Sequence, residues 1–304
     1  MSEPQAPIPI LILSYNDLPS LRLCLRAIVN RTRRAYQLIV VDNASTDRRL
    51  QRYLRWLAQL TRIRVHRNRR NLWVLGLNVP LKDALATLGE NDLFAVSDCD
   101  ILVPPPRQNR CWLTRMEASL QANACIGKLG LSLDLGYIQS RPQFQATLEQ
   151  ERFFLAGPRI GDTVVAGVDT TMALYRQSLF ATRRPMFLPG HQSLHRPYYY
   201  CCRTLPDFRG KHLSWRGYGA RASEDVGAKL VCMALLGTNI APHQQSIAPA
   251  GARLFYRMVK PLARVFWGAV MTVLQGLYTV RTFPRGANQV QHARRGRRQP
   301  ITAD

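Results

Sequence analysis

Unbroken apolar runs alternate with helical periods through the first hundred residues, and this alternation constrains the fold more than any other feature of the chain. Ile10-Leu-Ile-Leu-Ser-Tyr-Asn16 and Gln37-Leu-Ile-Val-Val-Asp42 have the continuous hydrophobic character of strands covered on both faces. Between them Asn16-Asp17-Leu18-Pro19 is a helix-start signal, and Leu21, Cys24, Leu25, Ile28 and Val29 recur at helical spacing. Asn43-Ala-Ser-Thr-Asp47 closes the second strand and caps a helix that sets Leu50, Leu54, Leu57 and Ala58 opposite a row of arginines. Ile63-Arg-Val-His66 predicts a short third strand, Leu81 to Leu88 a helix, and Leu93-Phe-Ala-Val96 a fourth strand. Such an order predicts an α/β fold with a parallel sheet and right-handed crossovers.

Beyond Pro104-Pro105-Pro106 the pattern loosens. A helix is expected from about Gln108 to Ala124 and a strand over Lys128–Leu133, while residues 134–160 are weakly patterned. Asp162 to Tyr175 has the character of one or two strands interrupted by Gly167 and Asp169. Residues 185–220, rich in Pro, His, Tyr, Arg and Gly, have the composition of a long loop over a binding site. A helix with Ser223 as its N-cap is expected to run to about Leu236, and a last strand, Thr238 to Pro242, to deliver His243.

The fourth strand ends in Asp98-Cys99-Asp100. Along an extended chain residues i and i+2 point the same way, about 7 Å apart, so both carboxylates can face one site. In open α/β sheets ligands gather beyond the carboxyl ends of the strands. Two acids there, in a chain of formal charge +23, point to a divalent cation carrying a phosphate ligand. An Asx-rich turn closing a strand is the alternative reading of the same residues.

The basic excess, 42 Lys+Arg against 19 Asp+Glu, attracts polyanions. It comes with no recognisable nucleic-acid module carrying interleaved aromatics, so no specific nucleic acid is expected as a partner. Seven cysteines without framework spacing fit reduced thiols and a cytoplasmic setting, and the N-terminus lacks the pattern of a signal peptide. Near the C-terminus, Val265 to Val280 carries no formal charge and is bracketed by Arg253, Arg257, Lys260 and Arg264 before it and Arg281 and Arg285 after it. It is shorter than the roughly 20 residues that span a bilayer. Phe266, Trp267, Val270, Val273, Leu274 and Leu277 lie mostly on one helical face. Two readings stand: an amphipathic helix at an anionic membrane surface, or a helix packed on the domain with solvated arginines.

Four pieces stand in order: Ile10–Asn16, Val41-Asp42-Asn43-Ala44-Ser45, Asp98-Cys99-Asp100, and Glu224-Asp225 followed by His243. Together they resemble a family 2 glycosyltransferase of the GT-A fold over roughly residues 8 to 245. The residues beyond that span themselves predict a C-terminal amphipathic helical tail, with an interfacial helical segment over 251–285 and a basic disordered tail over 286–304. The resemblance implies a Rossmann-like mixed sheet flanked by helices in a transferase domain over 1–250 (donor half about 8–105, acceptor half about 106–250). It implies an inverting enzyme that moves a sugar from a UDP-, dTDP- or GDP-linked donor to a hydroxyl of a glycan, glycolipid or polysaccharide-linked acceptor, peripheral on the cytoplasmic face of a membrane. Ser14, Tyr15 and Asp42 would hold the nucleoside, and Asp100 would ligate Mn2+ or Mg2+ with Asp98 approaching the ribose or metal. His243 would reach the metal or diphosphate, Asp225 would be the general base, and Glu224 would orient acceptor or base.

The chemistry asks for the same residue types. Expelling a nucleoside diphosphate builds negative charge that a carboxylate-held cation offsets, and a sugar hydroxyl needs a positioned carboxylate to take its proton. A capping acid at a helix start is the other reading of Asp225. The sequence also departs from the family. Asn68-Arg69-Arg70-Asn71-Leu72-Trp73 stands where a glycine-rich loop is common, leaving Arg69 and Arg70 either as diphosphate contacts or in a loop that has lost that role. Gly227 stands where a second acid often follows Glu-Asp. Gly167 either lets a strand pass close to the donor sugar or marks a bulge. A catalytically silent scaffold that binds nucleotide or membrane is the alternative function.

Overall fold

The computed structural model describes residues 6–86, 88, 93–168, 171–177, 200–217 and 225–298. The first four strands are β1 (Ile8–Ser14), β2 (Tyr36–Asp42), β3 (Ile63–Arg67) and β4 (Leu93–Asp98), all parallel, in the order β3-β2-β1-β4. Their side chains alternate between two cores, as a period of two requires. Ile10 and Ile12, Leu38 and Val40, and Ala95 face helices α1 (Leu18–Arg31), α2 (Arg48–Leu57) and α4 (Trp112–Ala122). Leu11, Ile39, Val41, Phe94 and Val96 face the opposite side, where α3 (Asn78–Leu85) packs. Asp17 and Asp47 cap α1 and α2 through their carboxylates, as the helix-start signals predict.

The sheet then turns mixed. β6 (Ile126–Gly130), β8 (Arg159–Ile160), β9 (Thr163–Val165), β10 (Ala173–Arg176) and β11 (Tyr200–Thr204) extend it to β3-β2-β1-β4-β10-β6-β11-β9-β8. β10 lies antiparallel to both β4 and β6. A second small sheet, β5-β12-β7, is built from β5 (Ile101–Leu102), β7 (Ser132–Leu133) and β12 (Arg209–His212).

Several expectations are corrected. Residues 134–160 contain a helix, α5 (Gln145–Leu155), which buries only Leu148 and Glu151 and so shows little apolar period. The expected loop over 185–220 contains β11 and β12; residues 178–199 and 218–224 lie outside the described residues. Helix α6 (Val226–Leu235) is capped by Asp225, whose carboxylate accepts from Ala228 N at 2.9 Å, and not by Ser223. Thr238 to Ala241 form no strand; Pro242, with its fixed φ, opens helix α7 (Pro242–Ile247). Helix α8 (Ala250–Arg298) runs without a break through residues expected to be disordered, since the Gln-, Ala- and Arg-rich end extends a helix already nucleated.

Helices α6 and α8 pack through Leu230, Ala234, Ile240, Ala248 and Tyr256, with Val226, Met233, Ala252 and Val259 around them. The end of α6 is a Schellman motif: Thr238 N bonds Met233 O and Gly237 N bonds Ala234 O, both at 3.0 Å, with Gly237 at φ +65°. The Tyr256 hydroxyl and Trp267 Nε1 donate to the carbonyls of Thr238 and Leu235, satisfying groups at the end of α6. The packed-helix reading of the tail therefore holds for one of its faces.

Candidate active site

Parallel register brings three strand ends to one edge. Ser14 pairs with Asp42, Leu13 with Asp98, and Asn43 N donates to Ser14 O at 2.9 Å. Ser14 and Asp42 are buried and Tyr15 is half-buried. The Ser14 hydroxyl is buried and has no hydrogen-bond partner among the described residues. Asp42 accepts from Ser45 N at 3.1 Å, which shapes the loop that follows β2.

The loops beyond these strands are tied to one another. Asn16, at φ +49°, accepts from Thr46 N at 2.7 Å and Asp47 N at 3.0 Å, while its own N–H donates to Ser45 Oγ at 2.9 Å. Asn43 donates to Asn71 Oδ1 at 2.8 Å and to Trp73 O at 3.0 Å, and accepts from Asn68 Nδ2 at 2.9 Å. Gly76 makes room for this knot, because a Cβ there would lie 2.4 Å from Asn43 Oδ1 and 2.6 Å from Asn68 Nδ2. Ala44 and Trp73, at φ +62° and +54°, hold conformations that cost non-glycine residues energy. Asn71 Nδ2 reaches Asp225 Oδ2 at 3.5 Å. The segment that departs from the glycine-rich pattern thus links the end of β2 to the cap of α6. Arg69 and Arg70 are exposed.

Asp98 ends β4 and Asp100 lies in the turn that follows, so the extended geometry stops between them. Asp100 meets an unanticipated partner: His212 Nδ1 lies 3.3 Å from Asp100 Oδ2. Strand β12 explains the meeting, since His212 pairs with Ile101 and Leu213 N donates to Asp100 O at 2.7 Å. Trp215 stacks on His212 at 4.8 Å, and Ser214 Oγ lies 2.9 Å from its Nδ1. Asp17 belongs to the same acidic mouth. Burial raises its carboxyl above the ordinary value, Ser20 opposes the shift by hydrogen bonding, and the Asp100 charge adds to it. Burial, reinforced by the fields of Asp100 and Asp98, pushes the Cys24 and Cys99 thiols up, so Cys99 is a packing residue between the two acids.

On the far side of β4, Gly167 follows β9 and is not part of a regular strand. Its carbonyl accepts from Arg203 Nε at 2.7 Å, and the next carbonyl, of Val168, from Lys128 Nζ at 2.5 Å. Both cations are buried, and Arg203 is also paired with Glu151 at 2.5 Å. This segment is anchored through its backbone.

Among the expected residues, Ser14, Asp42 and Asp98 share adjoining strand ends, Tyr15 and Asp100 lie one and two residues beyond theirs, and Asp225 is tied to them through Asn71. Glu224 lies outside the described residues. His243 is not brought to the aspartates: it is the exposed second residue of α7, and among the described residues no three His, Cys, Asp or Glu side chains gather as a metal cluster. His212 stands beside Asp100 in its place. Sequence reasoning missed it because its partner is 112 positions away; its place among the aromatic and basic residues of 185–220 was the available signal.

The chain belongs to glycosyl transferase family 2, whose family model matches residues 10–184. The mixed sheet has the GT-A type of architecture. No curated protein matches the chain. Similar solved structures include the mannosyltransferase PcManGT from Pyrobaculum calidifontis in complex with GDP-Man and Mn2+, 15% identical at TM-score 0.46, with 97% of this chain and 87% of that one covered. S. aureus TarS 1-349 is 15% identical at TM-score 0.45, with 82% and 71% covered. GalNAc-T7 with UDP, GalNAc and Mn2+ is 14% identical at TM-score 0.48, with 84% of this chain and 55% of that one covered.

Proposed function

We propose that this chain transfers a sugar, with inversion, from a nucleoside-diphosphate sugar to a hydroxyl of a lipid- or polysaccharide-linked acceptor. The observation that carries the reading is the Asp100–His212 pair beside Asp98 at the end of β4, in a chain of glycosyl transferase family 2. A divalent cation in a diphosphate site takes one or two protein carboxylates and fills its shell with phosphate oxygens and water. Asp98 and Asp100 supply carboxylates of that kind, with His212 beside Asp100 to orient it, so the residues fit Mn2+ or Mg2+ without a three-donor protein cluster. When bound, the cation would offset the charge that develops on the leaving diphosphate.

The remaining roles fall to the chain itself. Ser14, with its unpartnered buried hydroxyl, and Tyr15 and Asp42 form the nucleoside end of the site. Arg69 and Arg70 are exposed beside that end, where they can meet the diphosphate, and the anchored Gly167–Val168 backbone forms the sugar side. Asp225 takes the acceptor proton: one oxygen caps α6 and the other, steadied by Asn71, is the one that acts. With Gly227 in the first turn of α6, no acid follows Asp225 there.

The test is a panel of UDP-, dTDP- and GDP-sugars with Mn2+ or Mg2+, read by thermal protection and by release of nucleoside diphosphate. Protection with turnover by one donor is the expected result. Protection by nucleotide without turnover under any acceptor would favour the silent scaffold, and neither effect would remove the assignment.

A further inference from the structure

Helix α8 has three faces over residues 252–273, and among the described residues one of them is covered by protein. Ala252, Tyr256 and Val259 pack on α6, and the fit is close: a Cβ at Gly237 would lie 2.7 Å from the backbone of Arg264. A second face carries Leu254, Met258, Leu262, Val265, Phe266 and Val273, each more than half exposed, with Leu262 at 72% and Val265 at 77%. Their spacing follows a helical stripe about 30 Å long at 1.5 Å per residue. On the third face Arg253, Arg257, Lys260 and Arg264 recur at intervals of four, three and four. No Asp or Glu occurs anywhere between Val226 and Ala303, so nothing in this stretch of sequence neutralises that row.

A continuous exposed apolar stripe marks a contact surface, and the charge beside it narrows the partner. A second copy docking through the same stripe by a two-fold axis would bring one basic row alongside another. A nucleic acid would answer the arginines and leave the leucines and valines in water. An anionic bilayer surface answers both: acyl chains take the stripe and acidic headgroups take the row. None of the described helices is long and apolar enough to cross a membrane, so a helix with these faces lies along the surface.

We infer that α8 is a membrane-docking helix, seated by its Leu254–Val273 stripe in an anionic lipid interface while its opposite side stays clamped to α6. The inference stands apart from the transferase reading, because neither the donor site nor turnover enters the test. Full-length protein is sedimented with phosphatidylcholine vesicles and with vesicles containing about 30% phosphatidylserine. The expected result is binding to the anionic vesicles that falls as salt rises, because the Debye length shortens from about 10 Å at 0.1 M to about 3 Å at 1 M. Leu262→Glu and Val265→Glu should each weaken it by at least about tenfold, and Arg257→Gln with Arg264→Gln should remove its preference for phosphatidylserine. These side chains are exposed, so near-UV circular dichroism should not change. Undiminished vesicle binding by a folded Leu262→Glu/Val265→Glu protein would overturn the inference. So would an absence of vesicle binding together with a concentration-dependent dimer that the same substitutions disperse, which would give the stripe to a second copy.

Discussion

The strand-end edge and the α6–α8 pair satisfy their loose backbone ends in opposite ways. Beyond β1 and β2 the partners are short local side chains: Asn16, Asp42 and Asn43 hold the loops that follow the strands, with Ser45 and Asn68 completing the ties. At the end of α6 the partners come from another helix, through Tyr256 and Trp267 of α8. The first arrangement fixes the edge proposed to bind the nucleoside independently of the C-terminal helix. The second makes the seat of Asp225 depend on it, because Asp225 caps the helix whose far end α8 holds. Donor binding and acceptor chemistry should therefore fail separately.

The largest separation is expected from the two acids. Asp100→Ala should abolish metal-dependent binding of the nucleoside diphosphate by isothermal titration and cut turnover by about 10³-fold, a loss of the size seen when transition-state charge stabilisation is removed. Unchanged Mn2+-dependent affinity would end the assignment of Asp100 as a ligand. Asp225→Asn keeps the cap, since Asn serves that position as well as Asp, but cannot take a proton. Turnover should drop by about 10² to 10⁴ with the donor Kd unchanged. A Kd that moved with it would show that Asn71 couples the two sides more tightly than a 3.5 Å contact suggests, and the contrast drawn above would break.

Gly237→Ala probes the dependence on α8. It forces a Cβ into a left-handed backbone position and against Arg264, so stability measured in urea should fall by about 1–3 kcal/mol. Nucleotide affinity of the folded fraction should stay as it was. The smallest effect belongs to Asp17. Its raised pKa means that the folded chain keeps this proton to higher pH than the unfolded chain does. The associated stability is present at low pH and is lost as pH rises from the ordinary value of 3.8 through the folded one. Asp17→Asn, which preserves the cap, should flatten that decline by less than about 1 kcal/mol in denaturation curves from pH 3 to 7.

The same contrast runs through what the sequence reveals. Strands β1, β2 and β4 are legible because burial on both faces leaves an unbroken apolar run, and the acids Asp42, Asp98 and Asp100 end those runs, whereas the edge strand β3 shows only as the short alternation Ile63-Arg-Val65. The fold is harder to read wherever burial is polar. Tyr200-Cys-Cys-Arg-Thr204 conceals a central strand because its Arg203 is neutralised by Glu151, from a helix with little apolar period. His212 is invisible as a partner of Asp100 until the small β5-β12-β7 sheet brings them together. His243 fails in the opposite direction: a Pro that closes a strand in one reading opens a helix in the molecule.

The strand order also sets a schedule for the nascent chain. β4 is an interior strand with Phe94, Ala95 and Val96 fully buried, yet its second neighbour, β10, begins at Ala173. At about 5–20 residues per second, the 74 residues from 99 to 172 that separate the two strands take roughly 4–15 s to synthesise. Over that interval one side of β4 presents unpaired backbone groups on an apolar strand, the kind of edge that templates aggregation. Before β10 arrives, the four parallel strands can form but the sheet cannot close around the pair of aspartates. Substitutions that slow the docking of β10 should therefore reduce soluble yield during expression while leaving the purified protein's stability unchanged.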